Sequence, residues 1–348
     1  MPNPHTAPIG RMLSLDYLRG FFIVVIIIDH LNRWPSMLEI MTGRGELWVS
    51  AAEGFVMISG LLLGYIRGFK QREQPFKKVS FVILRRALLL YVWGVLGTIV
   101  LTIISWYSHF KSPIAYVDID PSNWPNLFSR AITLDYTYVM IHFLYLYAIF
   151  LLVSPLIILL LRRKMWLVVL IGSIVTWLVG IQLGIEFLQW QILFFAPVVA
   201  GFYLEKIQHY VAGMRQTTRR VVGYSIVSFT IITILISGFN LLPAGDFLFG
   251  RSPLGVGRII LATVWFIGFL LLFNKFLPWL KRYLGWLLEP LGTRSLTAYI
   301  LHIIPLILCS IFFIESDNIW LNSVLGVMCV LITWALVKTP AVQKIIPR

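Results

Sequence analysis

Charge and cysteine are both scarce in this 348-residue sequence. Asp, Glu, Lys and Arg together make up only 13% of it, well below the share usual in soluble domains. With 59% of the chain apolar, so few charges cannot keep it in water, and soluble globular and disordered classes are excluded. The two cysteines, Cys309 and Cys329, both lie inside apolar runs. They give neither a disulfide framework nor the CxxC spacing of a metal cluster, so no metal site is expected. Also missing are a repeat of solenoid period and matching Gly/Pro-broken segments in two halves, a common mark of transporters.

What the chain has in quantity is apolar length. Its mean hydropathy is +0.85, and it holds 24 Phe, 14 Tyr and 13 Trp. Stretches able to cross a bilayer, about 17–25 residues each, recur at about 13–34, 49–66, 81–106, 136–160, 165–184, 187–204, 221–240, 257–274, 293–313 and 321–337. The pattern predicts an all-α polytopic membrane protein of ten helices, with one transmembrane domain over 1–348. Ten spans put both termini on one side, and Arg11 and Arg19 at the start of the first make that side the cytosol.

Charge placement agrees with this topology. Of 29 basic residues, 23 fall on the cytosolic side; the other six are Arg33, Arg44, Lys111, Arg130, Arg251 and Arg258. The net charge of +14 is therefore a topology signal, the partner it implies is the lipid bilayer, and no nucleic-acid partner is expected. The first span is no cleavable signal peptide, because its apolar run is too long and carries Asp29 and His30. The longest outer stretch, about 107–135, is rich in Pro, Asn and Trp, and suits a loop capping an outward cleft or a plain connector.

Ionisable residues inside spans are costly, so chemistry is sought among them. They are Asp29, His30, Glu53, His142 and His302, with Asp16 and Arg19 near the inner boundary. His5, His109 and His209 fall in connecting segments. Arg19 and His30 are eleven positions apart, three turns plus about 20°, so both leave one face of the first helix. At 1.5 Å per residue, His30 lies roughly 16 Å further along. A guanidinium at the boundary suits phosphate or carboxylate capture, and an imidazole deep on the same stripe suits proton transfer. An elongated ligand with a charged head and a reactive far end, such as acyl-coenzyme A, would bridge them. That expectation requires Arg19 and His30 to open onto one cavity.

Glu53 enters the membrane at a depth similar to His30 and could orient its ring; the alternative is a hydrogen-bonded acid in a polar bundle interior. Gly60, Gly64 and Gly68 form a small-residue stripe suited to close helix packing. Asp16, three residues before Arg19, is placed to pair with it, whereas Asp29 points about 100° away from His30. His142 could line an acceptor cleft or pack among aromatics. Ser295, Tyr299 and His302 share one face of the ninth helix, either as pocket residues or as polar ties between helices.

Three segments carry a resemblance. Leu15 to His30, LDYLRGFFIVVIIIDH, resembles the Arg, ten residues, His pattern of the acyltransferase-3 transmembrane superfamily. Ser50 to Tyr65, SAAEGFVMISGLLLGY, resembles the second-helix motif of its OpgC branch, and Leu291 to His302, LGTRSLTAYILH, is similar to a late-helix motif of the superfamily. The resemblance implies an O-acyltransferase of the bacterial cytoplasmic membrane. It would pass an acyl group, succinyl or acetyl, from cytosolic acyl-coenzyme A to a glycan hydroxyl on the far side, with no other cofactor. It also implies catalytic His30 with Glu53 in the acidic position, and donor-binding Arg19 with Asp16 beside it. From the residues themselves, a proton-coupled transporter or flippase using Asp29, His30, Glu53 and His302 as a relay remains the alternative. The sequence leaves the oligomeric state open.

Overall fold

A chain crossing lipid must satisfy its backbone N–H and C=O groups internally, which helices do residue by residue. The computed structural model describes residues 12–107, 119–121, 123–241 and 245–346, and these hold helices and no strand. The chain is an all-α polytopic membrane protein. The principal helices are α1 (Leu13–Leu31), α2 (Ala51–Leu63), α3 (Phe76–Tyr107), α4 (His142–Arg162), α5 (Trp166–Leu183) and α6 (Ile192–Phe202). They continue as α7 (Gln216–Gly238), α8 (Val256–Lys275), α9 (Gly285–Thr293), α10 (Ser295–Leu301), α11 (Ile303–Phe312) and α12 (Ile319–Lys338). Among the described residues eight helical stretches are long and apolar enough to cross a membrane, or nine if the segment Glu186–Phe202 and the helix Leu204–Gly213, bent by 66°, count as one. The nineteen-residue α1 carries Asp16, Arg19 and Asp29, which set it apart in composition. Ten crossings require that α1 and the bent pair also span.

α1, with two acids, an arginine and a histidine along its length, lies deep in the fold. Leu15, Tyr17, Leu18, Ile23 and Ile27 of α1 are each 1% exposed or less, so neighbours cover α1 on several faces. By contrast, only 17% of the α5 and α7 spans is buried, against 67% for the span that begins with α2. The membrane explains the order: α5, and α7 beyond the arginines at its start, bring apolar and weakly polar side chains to lipid, whereas α1 and α2 carry groups that lipid would not solvate.

Glycine lets the central helices touch backbone to backbone. A side chain at Gly20 of α1 would strike the Leu288 carbonyl of α9, and one at Gly292 of α9 would strike the Asp16 carbonyl of α1. Between α2 and α6 the arrangement repeats: Gly60 and Gly64 abut the Phe194 and Val198 carbonyls, and Gly201 abuts that of Leu61. In lipid, such close approach supplies the packing that the hydrophobic effect does not. Gly68 meets the Phe202 ring instead, where α2 continues through the wider turn Gly64–Lys70.

The stretch of the ninth expected helix crosses as one span, Ser295–Phe312, with His302 in helical conformation at its middle joint. α10 stops at Leu301 and α11 begins at Ile303, with His302 at the joint. Ser295, Tyr299 and His302 are buried, at 8%, 4% and 0% exposure. In the 107–135 stretch a short helix, Trp124–Thr133, is tied to α3 by the Tyr91 hydroxyl donating to Ile132 O over 2.7 Å. His5 and His109 lie outside the described residues, as do Arg11 and Lys111.

Over-packing a tight crossing costs about 1–3 kcal/mol. Gly64→Leu is therefore expected to lower the thermal unfolding temperature of detergent-purified protein, whereas Gly172→Leu, with nothing within 4 Å of its Cβ direction, leaves it unchanged. Equal melting of the two variants would contradict this packing.

Candidate functional site

The Ile/Val run of α1 ends at Asp29 and His30, and Asn32 closes the helix in the left-handed conformation. His30 meets His302 across the bundle: His30 Nδ1 and His302 Nε2 are 2.8 Å apart. The other His302 nitrogen, Nδ1, bonds to the carbonyl of Tyr299 one turn back. That carbonyl only accepts, so His302 Nδ1 carries a proton and, in the neutral ring, Nε2 is a bare acceptor. His30 must then donate from Nδ1, which leaves His30 Nε2 with a free lone pair. The His302–Tyr299 joint thereby sets both the tautomer and the ring orientation of His30.

His30 lines a cavity of about 560 Å³ together with Asp29, Arg44, Phe55, His142, Phe143, Glu186, Trp190, Arg251 and Tyr299. Asp29 thus reaches the same cavity despite its offset on α1, and its Oδ1 is buried without a partner. His142 is held on both nitrogens, Nδ1 at 2.6 Å from Thr137 Oγ1 and Nε2 at 2.7 Å from Glu186 Oε2. Gln189 anchors this wall: its amide donates to Gly180 O, and its oxygen accepts from the Leu254 N–H at 2.8 Å. The loop bearing Arg251 is therefore pinned to the Glu186–Trp190 segment. Arg251 lies 5.9 Å from the centre of the Trp190 ring, close enough for its charge to act on Asp29, His30 and Glu186.

Glu53 stands elsewhere. It is 0% exposed; Oε2 accepts from the Ser50 N–H (2.9 Å) and hydroxyl (2.6 Å), and Oε1 accepts from Arg258 Nε at 2.5 Å. The capping box at the start of α2 explains the first pair and a buried ion pair to α8 the second. The pairing of Glu53 with His30 suggested by depth is corrected: His302 holds His30, and Arg258 holds Glu53.

At the other end of α1, Arg19 makes a long 3.5 Å contact to Ser59 Oγ of α2, and its Nε is buried without a partner. Arg86 of α3 has the same deficit at Nε, and its guanidinium lies 5.8 Å from the Tyr147 ring centre. Asp16, Arg86 and Tyr147 all act on the Arg19 charge, and Arg86 also acts on Arg67. Arg19 does not line the cavity that holds His30, so the single shared cavity expected from the helix stripe is corrected too. Phe143 lines the His30 cavity and packs 5.9 Å from Tyr147, the ring beside Arg86, so one turn of α4 runs from the cavity toward the arginines.

Among the described residues no three His, Cys, Asp or Glu side chains gather as a metal would need. Glu186, Trp190 and Arg251 escaped the reading of the sequence as site residues, and Arg258 as the partner of Glu53, because they come from other segments of the chain and share no helical period with His30. The one signal available was chemical: Glu186, Arg251 and Arg258 are charges at the edges of apolar spans.

These features define a polytopic helical membrane protein with a histidine-bearing cavity near one end of its central helix. Comparison with known families makes the assignment particular. A family model described as OpgC protein matches residues 11–344, and the chain belongs to that family. Membership points to a membrane acyltransferase that modifies osmoregulated periplasmic glucans. No curated protein and no solved structure matches the chain.

Removing one partner from a buried ion pair costs about 3–5 kcal/mol. Arg258→Ala is expected to lower the unfolding temperature sharply, and Arg258→Met combined with Glu53→Gln is expected to restore most of it. A single variant as stable as the parent would show that the pair does not hold α2 to α8.

Proposed function

We propose that this protein transfers an acyl group from acyl-coenzyme A to a hydroxyl of a periplasmic glucan, with His30 as general base. The observation that carries the reading is the hydrogen-bond chain from Tyr299 O through His302 to His30, which leaves His30 Nε2 bare beside a cavity of substrate size. In the reaction, His30 Nε2 takes the proton of the acceptor hydroxyl as its oxygen attacks the thioester carbonyl. The C–O bond forms, the C–S bond breaks, and the imidazolium returns its proton to the departing coenzyme A thiolate. His302 is a positioning residue. The alternative of a proton relay for transport fits less well, because the chain ends on a carbonyl, which accepts a hydrogen bond but passes no proton on.

The donor enters from the Arg19 end. Arg19 and Arg86, each with an unpartnered buried Nε, and Arg67 beside them, suit the phosphates of coenzyme A. The thioester then runs along the Phe143–Tyr147 turn of α4 to meet His30. The basic bias of the sequence puts this end, and both termini, in the cytosol of a bacterial inner membrane crossed ten times. Arg251, a cation at the reacting cavity with no hydrogen-bond partner among the described residues, favours an acyl chain ending in a carboxylate, hence succinyl over acetyl.

Loss of a positioned base costs about 10²–10⁴-fold. His30→Ala is expected to insert normally yet lose succinyl transfer to that extent in proteoliposomes, with His302→Ala losing less; a His30→Ala enzyme above about a tenth of parental rate would refute the base assignment. Arg251→Gln is expected to lower kcat/KM for succinyl-coenzyme A while sparing acetyl-coenzyme A. An unchanged ratio of the two donors would remove Arg251 from acyl selection.

A further inference from the structure

The reaction described above gives no work to Asp29, Glu186 or Trp190 of the His30 cavity, and the last two stand together on one segment. Glu186 spends Oε2 on His142, while its Oε1 has no partner among the described residues. Trp190 is 2% exposed, lines the same cavity, and its indole N–H finds no acceptor among the described residues. Buried donors are nearly always satisfied, and a residue of the cavity wall that carries an unpaired one offers a hydrogen bond to a ligand that reaches it.

The chemistry of the gap is specific. A carboxylate oxygen accepts and an indole N–H donates, and a hydroxyl-bearing ring can answer both at once, since each hydroxyl is donor and acceptor together. The remaining lining is aromatic: Phe143 packs edge-on against Phe55 at 5.3 Å and against Tyr299 at 5.6 Å, which offers ring surface for the apolar face of a sugar. His142 keeps Glu186 ready. Its Nε2 must carry the proton donated to the carboxylate, and Nδ1 is taken by Thr137, so this histidine orients the acid and abstracts nothing.

We propose that Glu186, oriented by His142, and the Trp190 indole N–H form the subsite that grips one neutral sugar unit of the acceptor and turns its hydroxyl toward His30. This assignment rests on the acyltransferase reading above. Neutrality follows from Glu186, whose charge repels an acidic sugar.

The test uses the full-length protein in detergent. Its probes are the four β-linked glucose disaccharides, titrated by calorimetry, and the transfer assay with isolated glucan as acceptor. Losing one charge-assisted hydrogen bond weakens binding about ten- to a hundredfold. Glu186→Gln is expected to raise the acceptor KM by that factor, leave the donor KM within about twofold, and weaken disaccharide binding in parallel. If Glu186→Gln does not fold, as judged by its melting, Trp190→Phe carries the same expectation. A folded variant with parental acceptor KM and parental disaccharide affinity overturns the subsite while the transferase reading stands. Disaccharide binding that depends on Glu186, in a parent that transfers nothing from acyl-coenzyme A, keeps the subsite and overturns the transferase.

Discussion

Lipid solvates neither charge nor an unpaired polar atom, and the placement of nearly every helix follows from that cost. α1 carries Asp16, Arg19, Asp29 and His30, and the fold surrounds it. Glycines on α1 and α9 bring those backbones into contact, and glycines on α2 and α6 do the same one layer out. The groups brought inside are then paired across helices. Glu53 meets Arg258, His30 meets His302, and His142 meets Glu186. Each of these pairs joins elements far apart in the chain, so the polar interior also selects which helices are neighbours.

The same rule separates two kinds of polar cluster. Glu53 and Arg258 satisfy one another and lie fully enclosed, as expected of a pair that fixes structure. Around His30 the account stays open: Asp29 Oδ1 and the Trp190 N–H are buried and unpaired among the described residues, and the exposed Arg251 stands at the same cavity. Arg19 and Arg86 show the same openness at the other end of α1. Enclosed polar groups without partners are tolerated where a ligand supplies the missing atoms. In the proposed reaction a donor held by the arginines runs along the Phe143–Tyr147 turn of α4 before its thioester meets the imidazole.

Much of this was legible in the residues. The apolar runs marked the spans because each is a local property, about twenty residues of one solubility. His30 and Arg19 stood out because a charged or titratable group in such a run is costly wherever its neighbours lie. The glycine stripe of α2 could be read as a packing face from its spacing. The partners could not be read. Depth placed Glu53 near His30, but depth is one coordinate, and the azimuth of α2 points its carboxylate at α8. Helical period put Ser295, Tyr299 and His302 on one stripe, yet it is the Tyr299 backbone carbonyl, three residues back, that fixes the imidazole.

The sequence by itself determined that the chain lives in a membrane as a bundle of helices, and which few polar residues that bundle must shelter. Those are questions of solubility, answered by composition within each segment. Only the tertiary structure decided that His302 and not Glu53 holds His30, that Asp29 shares its cavity, and that Arg19 does not line it. A hydrogen bond is decided over about 3 Å in three dimensions, and no one-dimensional period carries that information between helices.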